Sequence, residues 1–170
     1  VLEGVTGSGK TEVYLRLADQ VLRSNRSVLV LVPEIALTPQ LLARFRTRLD
    51  CPVDVLHSGL SDGERERTWH RARQGIARVL LGTRSAVFTP LPALGLVVVD
   101  EEHDPSFKQI EGLRYSARDL AIVRAQRAAC PVVLGSATPS LETLQHALAG
   151  DYALVRLDRR AGRARAPRVD

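Results

Sequence analysis

The sequence contains unbroken apolar runs of the kind found in strands that are buried on both faces of a sheet. The clearest are residues 28–32 and 96–99, which hold only valine and leucine. Strands of this kind are typical of parallel sheets, because helices then cover both faces. We therefore predict an α/β fold with a mainly parallel β-sheet and helices on both faces.

The segments between these runs have the spacing of amphipathic helices, so strands and helices alternate along the chain. Thr38-Pro39 is typical of a helix N-cap followed by the first helical residue, and Ser61 with Glu64 fits a capping box. The pattern predicts helices over residues 10–24, 39–49, 62–74, 118–129 and 140–149. It predicts strands over residues 28–32, 53–56, 79–81, 96–99 and 132–134, with a last edge strand over 152–157.

A glycine-rich run with the spacing Gly-x4-Gly-Lys-Thr lies between an apolar stub and the first predicted helix. It consists of Gly4, Val5, Thr6, Gly7, Ser8, Gly9, Lys10 and Thr11. Glycines allow successive backbone N–H groups to surround phosphate oxygens, and the helix adds its positive N-terminal end. In such a P-loop, Lys10 reaches the β/γ-phosphates and the Thr11 hydroxyl holds Mg²⁺. The run predicts a nucleoside triphosphate site.

An acidic pair, Asp100 and Glu101, directly follows the apolar run 96–99. Side chains at the carboxyl end of a buried strand lie at the ligand edge of an open α/β sheet. Acidic residues often end strands without any catalytic role, but the presence of a P-loop in the same chain favours a catalytic role for this pair. We expect Asp100 to hold Mg²⁺ and Glu101 to activate water, which indicates a hydrolysing class.

Composition narrows the class of protein further. The 170 residues suit one domain, and no apolar run approaches the roughly 20 residues that span a membrane. Cys51 and Cys130 lack metal-ligand spacing, so we expect reduced thiols in a cytoplasmic protein. The net charge of +5 suits a polyanionic partner but does not establish one, and the preference for arginine over lysine is typical of a GC-rich genome.

The organisation along the chain predicts one folded domain over residues 1–157. The Arg-, Ala- and Pro-rich residues 158–170 have the composition of a linker. The chain begins within a predicted strand and without methionine, so we expect it to be a piece of a longer protein.

Segments between the nucleotide motifs resemble those of superfamily 2 helicases. Residues 31–40 (Leu-Val-Pro-Glu-Ile-Ala-Leu-Thr-Pro-Gln) resemble motif Ia, residues 82–86 (Gly-Thr-Arg-Ser-Ala) motif Ib, and residues 135–140 contain the Ser-Ala-Thr of motif III. Together with the Asp-Glu-Glu-His of residues 100–103, the sequences of these motifs are most similar to those of the bacterial primosomal helicases that restart stalled replication forks. The resemblance covers residues 2–157 and implies the first of two RecA-like P-loop domains, with 158–170 leading to a second domain.

The resemblance also implies a DNA-coupling loop after the acidic pair, over residues 104–119. Phe107 and Tyr115 could stack on bases, with Lys108, Arg114 and Arg118 meeting phosphates. Alternatively, the two aromatic rings anchor the loop on the domain's own core.

The remaining motifs imply further contacts and relays, each with an alternative. Arg84 and Ser85 are expected at a DNA backbone, unless Arg84 pairs with a local carboxylate. Thr38 serves as an N-cap and could also meet an anion. The resemblance implies that Ser136 and Thr138 of motif III relay the state of the bound nucleotide. It also implies that His103 links the phosphate site to motif III. Glu102 is the remaining residue of motif II, which spans residues 100–103. The alternatives are turn-forming residues and a structural histidine.

The implied function is the motor domain of an ATP-dependent DNA helicase that unwinds stalled forks and initiates primosome assembly. The implied cofactors are ATP and Mg²⁺, and Zn²⁺ is expected only outside this chain. Forked DNA, primosome proteins and single-strand-binding protein are the implied partners of a bacterial monomer. Two alternatives are a related translocase that moves without unwinding and a fork-recognising scaffold whose ATPase has lapsed.

Overall fold

The predicted parallel sheet is confirmed in the computed structural model, which describes residues 1–158. Seven strands of the described residues lie in the order β3-β4-β2-β5-β8-β1-β9, and every pair of neighbours is parallel. They are β1 (Leu2–Gly4), β2 (Ser27–Leu31), β3 (Val53–Leu56), β4 (Val79–Gly82), β5 (Leu94–Asp100), β8 (Val132–Ser136) and β9 (Val155–Leu157). A separate antiparallel hairpin pairs β6 (Lys108–Gln109) with β7 (Tyr115–Ser116).

Within residues 1–158, five α-helices connect or follow the strands, close to their predicted positions. They are α1 (Lys10–Arg23), α2 (Pro39–Arg48), α3 (Asp62–Arg73), α4 (Ala117–Arg127) and α5 (Leu141–Ala149). The predicted caps explain where two of them begin. Thr38 Oγ1 accepts a hydrogen bond from the Leu41 N–H at 3.2 Å, and Ser61 forms the expected capping box with Glu64.

The core forms two layers, one on each face of the sheet. On β2, Val28 and Val30 face the layer beneath α1 and α2, while Leu29 and Leu31 face the layer beneath α3 and α4. All four side chains are buried. Burial on both faces removes any need for polar residues in these strands, which is why their sequences are continuous apolar runs.

Two strands differ most from their predicted limits. β5 begins at Leu94 and runs through Asp100, so the first acidic residue is the last residue of the strand. β9 is shorter than predicted and spans only Val155–Leu157, but it lies at the sheet edge as expected.

The strand order determines where a ligand site forms. β8 lies between β1 and β5, so the carboxyl ends of these three parallel strands meet at one edge of the sheet. The glycine-rich turn follows β1, the acidic pair ends β5, and the residues of the predicted motif III end β8. An open α/β sheet binds ligands in the crevice at this edge.

The predicted linker, residues 158–170, lies outside the described residues except for Asp158. Across residues 1–158, no helix is long and apolar enough to cross a membrane. Cys51 and Cys130 are half-buried free thiols, and burial raises the pKa of both.

Candidate nucleotide site and its coupling loop

The glycine-rich turn has a backbone that only some residue types tolerate. Gly7 and Gly9 adopt positive φ angles of 79° and 97°, in the left-handed region that favours glycine. The Ser8 N–H donates to the Val5 carbonyl at 2.9 Å, which closes the turn. A Cβ at Gly4 would come within 2.5 Å of Ser8 Oγ, so the turn depends on glycine there as well.

Lys10 is the first residue of α1, and its ammonium group points back into the turn. Nζ donates to the Gly4 carbonyl at 2.8 Å and lies 3.5 Å from Glu101 Oε1. The residue is only 8% exposed. The charge is therefore held inside the crevice between the turn and the acidic pair, where a phosphate would meet it.

Asp100 is fixed by a residue that the sequence analysis did not single out. The Tyr14 hydroxyl donates to Asp100 Oδ1 at 2.8 Å, and the tyrosine is only 2% exposed. The pKa of Asp100 is raised above its usual value, mainly by burial and also by the charge of Glu101, and the hydrogen bond from Tyr14 and the charge of Lys10 only partly offset this. Burial beside Asp100 raises the pKa of Tyr14 well beyond its usual range. The available signal was spacing, because Tyr14 follows Lys10 by four residues on the same helical face.

Glu101 directly follows the last residue of β5 and has a strained backbone conformation. Its φ angle of 49° is unusual for a residue with a side chain. The carboxylate lies 3.5 Å from Lys10 Nζ and 3.8 Å from His103 Nδ1. The sharp reversal after Asp100 therefore turns the second acidic side chain toward the ammonium group.

A cleft of about 960 Å³ joins these groups. One wall is formed by the turn and the start of α1, and Asp100 and Glu101 line the cleft beside Lys10 and Thr11. The other wall is formed by four residues of α2: Ala43, Arg44, Thr47 and Arg48. Arg48 is anchored by an ion pair of 3.0 Å with Glu12, whereas Arg44 has no ion pair among residues 1–158. The volume is that of a pocket for a small organic ligand.

Gly135 on β8 leaves the room that the Tyr14–Asp100 pair occupies. A Cβ there would lie 1.7 Å from Tyr14 Oη and 3.3 Å from Asp100 Oδ1. We expect Gly135→Ala to lower the free energy of unfolding by about 1–3 kcal/mol, the usual cost of overpacking a dense core.

Gly63 provides the matched control for denaturant unfolding of this variant. It lies in α3, and no atom stands within 4 Å of the place where a Cβ would be, so Gly63→Ala should raise stability by about 0.4–1 kcal/mol. Equal stability of Gly135→Ala and the wild type would show that Tyr14 moves aside at no cost.

His103 connects the acidic pair to the end of β8. Its Nδ1 is hydrogen-bonded to Ser136 Oγ at 2.8 Å, and Ser136 Oγ accepts from the Thr138 N–H at 2.9 Å. Ser136 is completely buried. The structure thus brings together the residues that the resemblance implies for a relay, and Thr138 enters it through its backbone.

The structure corrects two predictions for the coupling loop. The prediction that Phe107 stacks on bases is wrong, because its ring is 2% exposed and belongs to the core layer beneath α4. The alternative, a core anchor, is what the structure shows. The prediction that Arg118 meets phosphates is also wrong, because its side chain is only 12% exposed and its guanidinium is paired with Glu102 at 3.3 Å and Asp119 at 2.8 Å.

Arg84 does not pair with a local carboxylate within residues 1–158. Its Nη1 donates to the carbonyls of Ser106 and Lys108, both at 3.2 Å, and so holds the start of the β6–β7 hairpin. Tyr115 packs edge-on against Phe88, with ring centroids 4.9 Å apart. The expected contacts Thr38, Ser85, Lys108 and Arg114 are exposed on the surface.

The sequence is similar to curated bacterial proteins named replication restart protein PriA. It is 52% identical to that of Haemophilus influenzae over 99% of this chain and 23% of the relative. It is 48% identical to the Bacillus subtilis protein over 99% of this chain and 21% of the relative. The Synechocystis protein is 58% identical over 84% of this chain and 17% of the relative. The chain thus spans about a quarter or less of the length of these relatives.

Solved structures share the fold at low sequence identity. RecG bound to a three-way DNA junction matches with a TM-score of 0.67 at 22% identity, over 97% of this chain and 21% of RecG. The Hef helicase domain of Pyrococcus furiosus matches with a TM-score of 0.64 at 23% identity, over 92% of this chain and 34% of that chain.

The family model described as DEAD/DEAH box helicase matches residues 1–147. That range contains the turn, the acidic pair and the end of β8, so the match and the site geometry rest on the same residues. The predicted RecA-like fold is confirmed by the seven-stranded parallel sheet and by these structural neighbours. The chain belongs to the DEAD/DEAH box helicase family.

Proposed function

We propose that this chain is the first motor domain of a longer ATP-dependent DNA helicase that acts in replication restart. The observation that carries the proposal is the meeting of Lys10, Asp100 and Glu101 in one cleft beside the glycine-rich turn. The similarity to PriA proteins at about half identity over nearly the whole chain supports the restart role.

The cleft suits a nucleoside triphosphate because its donors match a phosphate chain. Lys10 provides a compact positive charge, and the backbone N–H groups of the turn and of the start of α1 provide hydrogen-bond donors. Ser8 Oγ is buried without a hydrogen-bond partner among the described residues, so it is available to a ligand oxygen. The α2 wall faces the turn across the cleft and offers Arg44 and Thr47 to the rest of the nucleotide.

The residues also fit Mg²⁺, which prefers oxygen ligands and retains waters. Thr11 and Asp100 supply a hydroxyl and a carboxylate at the same cleft. Tyr14 holds one oxygen of Asp100, so that carboxylate is oriented before any ligand arrives. When bound, the metal would neutralise charge on the phosphates. Across residues 1–158, no group of three or more His, Cys, Asp or Glu side chains could hold a metal ion by itself.

In this mechanism each residue of the site has a separate role. Lys10 binds the β/γ-phosphates and stabilises the charge that develops on them. Glu101 accepts a hydrogen bond from the attacking water, orients it and takes its proton. His103, Ser136 and Thr138 connect this centre to the end of β8, from which a change at the phosphates can reach the DNA side.

The partners that we propose follow from the same assignment. Single strands and forked junctions would contact the exposed Thr38, Ser85, Lys108 and Arg114. Primosome proteins and single-strand-binding protein would contact the longer protein, which we propose to be a cytoplasmic monomer. Residues 158–170 would lead to the second motor domain.

The activity of the isolated chain tests whether ATP hydrolysis requires the second motor domain. We expect it to bind ATP weakly and to hydrolyse almost none. The reason is that an arginine finger, worth roughly 10³- to 10⁵-fold in rate, would come from the second domain. Calorimetry measures ATP binding and phosphate release measures hydrolysis. Both are measured on the isolated chain and on the full-length protein, with and without single-stranded DNA. DNA-stimulated turnover by the chain at the full-length rate would contradict the proposal.

Two further assays separate the alternatives in the full-length protein. Strand displacement on forked DNA distinguishes a helicase from a translocase that moves without unwinding. Absence of any adenine-nucleotide binding by the full-length protein would exclude the motor and favour a fork-recognising scaffold.

A further inference from the structure

Glu102 has the most deeply buried carboxylate in the described part of the chain, and the proposed hydrolysis does not use it. Its side chain is fully excluded from solvent, and it does not line the nucleotide cleft. Its oxygens accept hydrogen bonds from the Ser140 N–H at 2.7 Å and from the Thr143 hydroxyl at 3.0 Å. Glu102 directly follows Glu101 in the chain, so these hydrogen bonds connect the segment that carries Glu101 to the start of α5.

The same carboxylate is joined to the coupling loop by Arg118. Arg118 Nη1 lies 3.3 Å from Glu102 Oε2 and donates to Ser140 Oγ at 2.8 Å. Arg118 is the second residue of α4, which begins directly after β7 of the hairpin. One ion pair thus joins the C-terminal end of the hairpin to the segment that carries Glu101.

The start of the hairpin is held separately, by Arg84 on the Ser106 and Lys108 carbonyls. Between these two anchors, Ile110 and Leu113 are 74% and 76% exposed. A DNA strand that displaces these exposed residues would therefore act on a hairpin that is anchored at both ends. Both ends lead to the acidic pair: the start through residues 102–107 of the chain, and the other end through Arg118 and Glu102.

Stability alone is a poor explanation for this pair. Removing a carboxylate and a guanidinium from water costs several kcal/mol per ion, and apolar replacements of buried pairs are often neutral or stabilising. The pair instead has a geometry suited to transmission, because it connects three segments that lie at the carboxyl edge of the sheet: residues 100–103, the first turn of α4 and the first turn of α5.

We propose that Glu102 and Arg118 are positioning residues that pass displacement of the hairpin to Glu101. This inference rests on the proposed ATPase and its stimulation by DNA. With the hairpin occupied, the pair would hold Glu101 in its working position; with the hairpin free, the carboxylate of Glu101 would rest against Lys10, as observed at 3.5 Å.

The test uses the full-length protein and the variants Glu102→Gln, Arg118→Gln and their double. We expect each single variant to lower DNA-stimulated kcat at least tenfold while the Kd for ATP stays within twofold of wild type. The double variant should be no worse than either single variant, since both remove one connection. Glu142→Gln is the matched control, because its exposed carboxylate also lies near Arg118, at 4.0 Å, and it should keep full stimulation.

Several results would overturn the inference. Full stimulation in either single variant would show that the pair transmits nothing. A Kd for ATP that rises in step with the loss of kcat, or additive losses in the double variant, would assign the pair a structural role only. A wild type without DNA-stimulated hydrolysis would instead remove the proposed function itself.

A second measurement covers variants that fold poorly. Arg118→Lys keeps the charge but loses the planar fork that reaches Glu102, Ser140 and Asp119 together. In hydrogen–deuterium exchange, single-stranded DNA should change the exchange of residues 100–103 in the wild type but not in Arg118→Lys. The same change in both proteins would overturn the inference.

Discussion

Replacing Lys10 with alanine is expected to reduce DNA-stimulated ATP hydrolysis by the full-length protein by at least roughly 10²- to 10³-fold, the usual cost of removing one preorganised group that stabilises transition-state charge. The ammonium group lies in the crevice, 2.8 Å from the Gly4 carbonyl and 3.5 Å from Glu101, and no other lysine lines the cleft within residues 1–158. Phosphate release at saturating DNA measures the effect.

Lys108 provides the control for this prediction, because it is the only other lysine in the chain and lies exposed on the hairpin. Lys108→Ala should leave the Kd for ATP unchanged. Unchanged unwinding by Lys10→Ala would remove Lys10 from the mechanism and favour the scaffold with a lapsed ATPase.

Replacing Glu101 with glutamine is expected to stop hydrolysis without weakening ATP binding. A positioned general base is worth roughly 10²- to 10⁴-fold in rate, and the amide cannot take a proton from water. The substitution also removes the negative charge 3.5 Å from Lys10, so the ammonium group becomes more available to phosphates. Single-turnover hydrolysis together with calorimetric ATP binding separates the two effects.

The control for Glu101 is Glu66→Gln, which makes the same chemical change on the exposed surface of α3. This variant should match the wild type in both assays. Normal turnover by Glu101→Gln would assign water activation to another group in the cleft.

The sequence was sufficient for the sheet because the determinants there are local. Continuous valine and leucine runs such as residues 28–32 favour strands buried on both faces, and Thr38 and Ser61 mark helix starts by their own side chains. The glycine-rich turn was equally predictable, since the positive φ angles of Gly7 and Gly9 are properties of those residues.

The contacts that the sequence did not predict are long-range. Tyr14 and Asp100 are 86 positions apart, and only the sheet order brings them to 2.8 Å. Aromatic and basic side chains suit nucleic acids, which is why Phe107 and Arg118 are predicted at a DNA surface. The fold instead uses Phe107 to fill the core and Arg118 to neutralise the buried Glu102. Composition cannot separate these roles.

The left-handed backbone of Glu101 has a consequence for how the domain can evolve. Holding a side chain in that region costs about 1–3 kcal/mol, and neighbours must supply the difference. Glycine or asparagine would occupy the position with less backbone strain. Neither residue has a carboxylate that could take a proton from water. Under the proposed mechanism, selection for stability alone would favour replacing Glu101, whereas selection for turnover would retain the glutamate.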